Sequence, residues 1–220
     1  MSVPEPDKNL ASPAVSTVKK VVPQDTPGYQ AETITGKASL RAIWQAHIVL
    51  DDVEVPASAL LPGSHSFRDT STVLQATRLG VAWGSLGQAT ACYETAVHYA
   101  QQRIQFGRPL AASQIVQERL SRMLSELTSL QTLVVQLTRL DEAHDLSGPQ
   151  AALGKYTATR TARSIAANAR DLLGGNGILL ENRVARHFAD IESLHTYEGT
   201  ETIQALILGR EITGHSAFTG

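Results

Sequence analysis

Seven apolar residues between positions 116 and 137 alternate steps of four and three, and this spacing constrains the fold more than any other feature. They are Val116, Leu120, Met123, Leu127, Leu130, Val134 and Leu137. Such a seam lies along one side of a helix that packs at a shallow angle against other helices. The pattern therefore predicts a long helix over residues 114–143, placed in a helical bundle.

Four further stretches have helical periodicity, at about residues 70–105, 149–173, 183–193 and 202–213. The first carries Gly80, Gly84 and Gly87 among larger apolar residues, which permits close contacts between helices. Glycine also lowers helix propensity, so packing must stabilise this stretch. The chain is predicted to be mainly α.

Residues 27–66 differ in composition, since they are rich in residues that favour strands. Pro56 and Pro62 lie near the end of this segment. The segment predicts two or three strands, which would form a small sheet with exposed edges. Residues 1–26 lack the apolar core of a secretory signal and are interpreted as a flexible leader. The predicted division is therefore 1–26 leader, 27–66 partial β-domain and 67–220 helical domain.

The charge balance argues against a polyanionic partner bound through overall charge. The 220 residues include 19 Lys and Arg against 21 Asp and Glu, which gives a net charge of -2. Neither nucleic acid nor an anionic membrane surface is indicated by this balance, and the apolar runs are too short to cross a bilayer. The composition favours small-molecule chemistry or protein contacts.

The single cysteine, Cys92, cannot form an internal disulfide. This suits a reducing compartment, and with no signal or transit peptide evident we expect a cytoplasmic protein, or a mitochondrial matrix protein in a eukaryote. His187, Asp190, Glu192 and His195 lie close together in sequence, but their spacing matches no tight zinc pattern. No metal site is predicted.

Two stretches are weak signals when each is taken alone. The segment LGGNGI, residues 173–178, lacks the context of a nucleotide-binding loop and favours a helix cap followed by a turn. The segment RIQFGRPL, residues 103–110, favours a connection between helices, although Arg103 in such a loop could grip a phosphate.

The segment TYEGTET, residues 196–202, leaves two interpretations open. In one, Glu198 or Thr200 caps the following helix and interacts with its dipole. In the other, Gly199 allows a ligand to approach the backbone closely, while Glu198 is available as a base. The local residues favour neither.

Four colinear stretches together resemble the flavin-dependent acyl-CoA dehydrogenases, and the glutaryl-CoA dehydrogenase branch in particular. They are LRAIWQAHIVLDDVEVPASALLPG, ATRLGVAWGSLGQATACYETAVHYAQQRIQFGRPLAASQIVQERLSRM, ARDLLGGNGI and HTYEGTETIQALILGREITGHSAF. The resemblance covers residues 27–218. It implies a C-terminal four-helix up-and-down bundle preceded by a small remnant of the family's β-domain.

The resemblance implies that Glu198, in the family's YEG motif, is the catalytic base. It would remove the proton alpha to the thioester carbonyl while a hydride leaves the beta carbon for the flavin. Some branches place the base just before the arginine of the first bundle helix, but the residue there is Thr77, which cannot serve. A carboxylate shielded from water would have its pKa raised toward the useful range.

The resemblance also implies a set of cofactor and substrate residues. The residues matching FAD contacts are Arg103, Gln114, Asp171, Leu172, Leu173, Gly174, Gly175, Thr200, Glu201, Thr202 and Phe218. Many relatives carry glutamine at the position of Asp171. The residues matching the acyl-CoA site are Ser71, Leu74, Arg78 and Gly199.

The family's members have nearly twice this length, and this sequence begins inside their β-domain. Glutaryl specificity therefore does not follow from the residues present. The resemblance implies an acyl-CoA substrate, an electron-transfer flavoprotein-like acceptor and a homo-oligomer, either a dimer or a tetramer. The alternative hypothesis is a truncated, non-catalytic helical module that acts through oligomerisation or by association with a full-length relative.

Overall fold

The computed structural model describes residues 19–217. Their contacts divide them into two compact units. A sheet unit comprises residues 19–33 and 46–73, and a helical unit comprises residues 34–45 and 74–217. The domain boundaries predicted at residues 26 and 66 stay a prediction.

The sheet unit is built on one antiparallel strand pair. Strand β1, Tyr29–Thr33, pairs with β2, Ala46–Leu50, so that Tyr29 lies opposite Leu50. Residues 19–21 also form backbone hydrogen bonds with residues 59–61. Ile48, Val49 and Leu50 are each more than half exposed. Isolated two-stranded pairs are marginal in water, so this unit has little core of its own.

Five helices account for most of the described chain, and the mainly α prediction is confirmed. They are α1, Phe67–Gln102; α2, Gln114–Glu142; α3, Gly148–Leu172; α4, Val184–Thr196; and α5, Glu201–Thr213. Their bounds lie within a few residues of the predicted ones.

Helix α3 contacts α2, α4 and α5, and small side chains make these contacts possible. Its buried residues include Ala158, Ala162 and Ala169. Against this face α2 presents its seam, of which Met123, Leu127, Leu130, Val134 and Leu137 are buried. Val116 and Leu120, at the start of α2, are only partly buried. Most of the predicted seam is therefore core.

The connection between α1 and α2 is a β-hairpin. Strand β3, Ile104–Gln105, pairs with β4, Arg108–Pro109. Phe106 and Gly107 both have positive φ, 52° and 76°, as a tight hairpin turn of the I′ type requires. Asparagine is the usual first residue of such a turn, which is why the sequence indicated a connection but no strands.

The two ends of α3 are fixed by different devices. Ser147 and Gln150 form a capping box at its start. At its end the cap predicted from LGGNGI uses one left-handed glycine, since Gly174 has a φ of 57° and Gly175 does not have a positive φ. Gly177 serves packing instead, since a Cβ there would lie 2.0 Å from the Arg170 carbonyl oxygen.

Substitution of Gly177 by alanine should destabilise the fold by at least about 2 kcal/mol, because the new methyl group overlaps backbone that cannot move away. The matched control is Gly175→Ala, where a Cβ meets nothing within 4 Å and φ is not positive. We expect the control to stay within about 1 kcal/mol of wild type. Urea denaturation of the two variants measures the difference, and equal stabilities would contradict the packing role of Gly177.

Candidate functional site

Glu198 lies in a short turn between α4 and α5, and its backbone is left-handed. The φ angle is 58° at Glu198 and 87° at Gly199. Thr200 then caps α5, where its side chain accepts a hydrogen bond from the Ile203 amide at 3.5 Å. We call residues 197–200 the Glu198 turn. The capping role belongs to Thr200, which leaves the carboxylate of Glu198 available for other contacts.

The carboxylate of Glu198 has a partner on α1. The Thr77 hydroxyl donates to its Oε2 at 2.7 Å. Thr77 cannot act as a base, but the hydrogen bond fixes the direction in which the Glu198 carboxylate points. Sequence reasoning considered this position only as an alternative base and so missed its contact with Glu198.

Arg78, the next residue of α1, is 6% exposed. Burial lowers the pKa of its guanidinium, while the charge of Glu198 acts in the opposite direction. Among the described residues 19–217, its Nε atom is buried without a hydrogen-bond partner. A buried donor without a partner is costly, so this atom is suited to a ligand acceptor.

Gly199 cannot carry a side chain in this turn. A Cβ there would lie 2.7 Å from Gln204 Nε2 and 3.2 Å from Ile203 Cγ2, and the φ angle disfavours any L residue. Sequence reasoning assigned this glycine to substrate contact. The structure shows a second reason for it, which is the close packing of the turn against α5.

The backbone of the Glu198 turn contacts two buried polar side chains that sequence reasoning missed. Lys155 Nζ donates to the carbonyl oxygens of Tyr197 and Gly199. Gln204 Nε2 donates to those of Glu198 and Gly199, both at 3.0 Å. A signal for Lys155 was present, because it follows Ala151 by four positions and precedes Ala158 by three, on the apolar stripe of α3.

Glu201, a predicted cofactor residue, takes part in a charged cluster beside the turn. It forms an ion pair with Arg160, and its Oε2 lies 2.9 Å from His195 Nε2. Thr202 is exposed. Burial, followed by the charge of Arg163, lowers the pKa of His195, and the opposing effect of Glu201 does not overcome them.

A pocket of about 550 Å³ brings together six of the predicted cofactor residues. Its lining includes Arg103, Asp171, Leu172, Leu173, Gly174 and Gly175. Arg103 comes from the end of α1, and the other five come from the end of α3. Gln114, exposed at the first position of α2, is not in the lining, but its neighbours Ile115 and Val116 are.

The residues of this pocket suit an anionic ligand group that lies against exposed protein backbone. Arg103 and Arg119 both line it, and Arg119 is bound to Asp171 at 2.6 Å. A Cβ at Gly174 or Gly175 would meet no atom within 4 Å, so the backbone there is open to approach. These residues fit the pyrophosphate of a dinucleotide, since guanidinium groups bind phosphate through two hydrogen bonds.

The remaining predicted residues are placed as follows. Leu74 is partly buried on α1, and Ser71 is exposed and belongs to the sheet unit. Phe218 lies outside the described residues. Within residues 19–217, no group of His, Cys, Asp or Glu side chains could hold a metal ion, and no helix is long and apolar enough to cross a membrane.

Residues 67–213 match the model of the acyl-CoA dehydrogenase C-terminal domain. The chain is 32% identical over 211 residues to the mitochondrial short-chain specific acyl-CoA dehydrogenase of Bos taurus. The match covers 95% of this chain and 50% of that protein. It therefore spans about half the length of the curated relatives that it matches.

Two solved structures of glutaryl-CoA dehydrogenase from Mycobacterium smegmatis are similar to this chain. One is 42% identical with a TM-score of 0.89, and the match covers 92% of this chain and 52% of that one. The other, in complex with FADH2, is 40% identical with the same TM-score and the same coverage.

The charged cluster beside the Glu198 turn should make stability depend on pH through His195. The pKa of His195 is lowered in the folded chain, so the unfolded chain binds the proton more readily. The stability that neutral His195 contributes is therefore lost as pH falls below about 6.5. We expect the free energy of unfolding to fall less steeply between pH 7.5 and 5.5 in His195→Gln than in wild type. Urea denaturation at each pH measures this, and parallel curves for the two proteins would contradict it.

Proposed function

The chain belongs to the acyl-CoA dehydrogenase family, and we propose that it serves an FAD-dependent oxidation of an acyl-CoA thioester in which Glu198 is the base. The glutaryl-CoA dehydrogenases of Mycobacterium smegmatis make a substrate of the glutaryl-CoA type the first to test. The chain spans about half the length of these relatives, so the proposal concerns the part of the reaction that its own residues perform.

The observation that carries the proposal is the pocket lined by Arg103 and residues 171–175. Two distant segments of the sequence meet there, one with a cation and the other with open glycine backbone. The family is FAD-dependent, and one similar structure is a complex with FADH2. Arg103 and the 171–175 segment would hold the cofactor, with Gln114, Thr200, Glu201, Thr202 and Phe218 as further proposed contacts.

Glu198 performs the proton transfer in this proposal. Its carboxylate, directed by the hydrogen bond from Thr77, would take the proton from the carbon alpha to the thioester carbonyl. FAD supplies the acceptor for the hydride that leaves the beta carbon. Arg78, Leu74 and Gly199 are proposed to line the acyl-CoA site, and the unpartnered Nε of Arg78 is a donor suited to the ligand. The role of Ser71 stays a prediction.

A second candidate function is a non-catalytic module that acts by association with other chains. The observation that favours it is the exposure of large apolar side chains on the helical unit. Trp44 is 86% exposed, Phe106 is 101% exposed and Ile212 is 81% exposed. Burial of these side chains against another chain would stabilise a complex through the hydrophobic effect. A homo-oligomer and an electron-transfer flavoprotein-like acceptor are the partners that we propose for the enzyme.

Removal of the pocket cation should weaken flavin binding. We expect Arg103→Met to raise the Kd for FAD at least about tenfold, because a charge-assisted contact with phosphate is lost. Arg108→Met is the matched control, since Arg108 is exposed on β4 and is not part of the pocket lining. Fluorescence titration of FAD measures both. Equal weakening by the two substitutions would place the cofactor elsewhere.

Substitution of the proposed base should slow the chemistry without removing the cofactor. In protein loaded with FAD, acyl-CoA should bleach the flavin absorbance, and Glu198→Gln should slow the bleaching about 10²- to 10⁴-fold. Glu211→Gln on the exposed face of α5 is the control and should bleach like wild type. Flavin binding without bleaching in wild type would contradict catalysis by this chain. A chain that binds no flavin but associates in a size measurement would favour the second candidate.

A further inference from the structure

Lys155 is buried in the middle of α3, where its side chain is 1% exposed. Lysine is among the residues least often buried without a partner, because its charge must be removed from water. Its neighbours on the same stripe are alanines, and an alanine or leucine would serve packing alone. The lysine therefore needs an explanation beyond the helix that carries it.

Its partners are backbone carbonyls on both sides of Glu198. Lys155 Nζ donates to the Tyr197 oxygen at 2.5 Å and to the Gly199 oxygen. Glu198 and Gly199 both have positive φ, and three successive carbonyl oxygens of this stretch accept from Lys155 or Gln204, with that of Gly199 accepting from both. We call Tyr197 O, Glu198 O and Gly199 O the carbonyl cluster. Converging carbonyl dipoles repel one another unless donors or a cation lie among them.

Gln204 completes the set of donors from α5. Its Nε2 binds the oxygens of Glu198 and Gly199, and the residue is fully buried. Two side-chain nitrogens from two helices thus satisfy all three oxygens. The left-handed conformation is unfavourable for a residue with a side chain such as Glu198, and these hydrogen bonds oppose its cost.

We propose that Lys155, assisted by Gln204, is a positioning residue for Glu198: by binding the carbonyl cluster it holds the turn in the conformation that directs the carboxylate toward the substrate. The proposal rests on the function proposed above for Glu198, but the geometry of the turn can be tested without flavin. Lys155 touches only backbone in the turn and takes no part in proton or hydride transfer.

Charge also connects Lys155 with the site. Burial, followed by the charge of the neighbouring Arg78, lowers the pKa of its ammonium to about 8, against the opposing effect of the Glu198 carboxylate. At pH 7 the group is therefore mostly protonated and has three hydrogens to donate. The charge of Glu198 raises the pKa of both Lys155 and Arg78 against the effect of burial, and Lys155 also lowers the pKa of His195.

The test compares Lys155→Met, which keeps the length of the side chain, with Leu130→Ala, a variant of an equally buried residue in the core seam of α2. Hydrogen exchange is measured by mass spectrometry on peptides covering residues 196–204 and residues 123–137. We expect Lys155→Met to speed exchange at least about tenfold in the turn with little change in α2. Leu130→Ala should act mainly on α2.

A merely structural role would produce a different result. If Lys155→Met speeds exchange equally in both peptides, or leaves the turn unchanged, the proposal is overturned. If that variant does not fold, Gln204→Met decides, because it removes two of the four hydrogen bonds and retains Lys155. It should then show the same local increase at residues 196–204, and unchanged exchange there would overturn the proposal.

A kinetic comparison separates positioning from loss of stability in the FAD-loaded chain. Lys155→Met should lower kcat about 10²-fold with KM within about threefold, as expected when a catalytic group is misplaced. Leu130→Ala should keep kcat within about threefold. An equal loss of kcat in both variants would contradict positioning. If wild type itself shows no flavin reduction, the proposed function fails, whereas the exchange data still decide the role of Lys155.

Discussion

The close contact of α3 with three other helices is the constraint on which the helical unit depends. Alanine and glycine on the buried faces of α3 let α2, α4 and α5 approach it at short range. Gly154 shows how little room remains, since a Cβ there would lie 2.6 Å from a methyl group of Leu137. Dense packing of this kind leaves each helix one position relative to α3. The ends of these helices are therefore fixed in space, and both candidate sites lie at such ends.

Each candidate site depends on polar side chains that differ from the apolar residues packed around them. In the Glu198 turn they are a charged Lys155 in an alanine-rich stripe, together with a buried glutamine. In the pocket they are a pair of arginines beside open glycine backbone. Buried polar groups are tolerated when their hydrogen bonds are made, and here the side-chain nitrogens of Lys155 and Gln204 both donate to backbone carbonyls. Within residues 19–217, Gln204 Oε1 is buried without a partner. The side chain of Glu198 is left for Thr77 and for a ligand.

Much of the fold could be predicted from the sequence, because helical periodicity is a local signal. The seam of α2 predicted its buried residues from Met123 onward, and the family's motifs predicted that Arg103 and residues 171–175 act together. Those residues do line one pocket. The carboxylate of the YEG motif was identified by the same resemblance, and its role stays a proposal.

What could not be predicted depends on contacts between distant segments. The position of Lys155 on the apolar stripe of α3 indicated burial, but nothing local reveals that the carbonyls of residues 197 and 199 accept its hydrogen bonds. The hydrogen bond from Thr77 to Glu198 joins positions that are 121 residues apart. Two local features were missed as well: the turn at Phe106 and Gly107 lacks the usual asparagine, and Gly177 packs against the carbonyl of Arg170, seven residues earlier.

One consequence follows from the fact that α3 serves both sites. Lys155 forms hydrogen bonds with the turn that holds the proposed base, and Asp171 begins the segment that lines the pocket. Sixteen residues of continuous helix separate them, or about 24 Å along the axis at 1.5 Å per residue. The helix thus fixes the distance and the relative orientation of the two sites. An insertion of a single residue between them would lengthen it by about 1.5 Å and rotate one end by about 100° against the other. The length of this helix is therefore constrained by the two sites together.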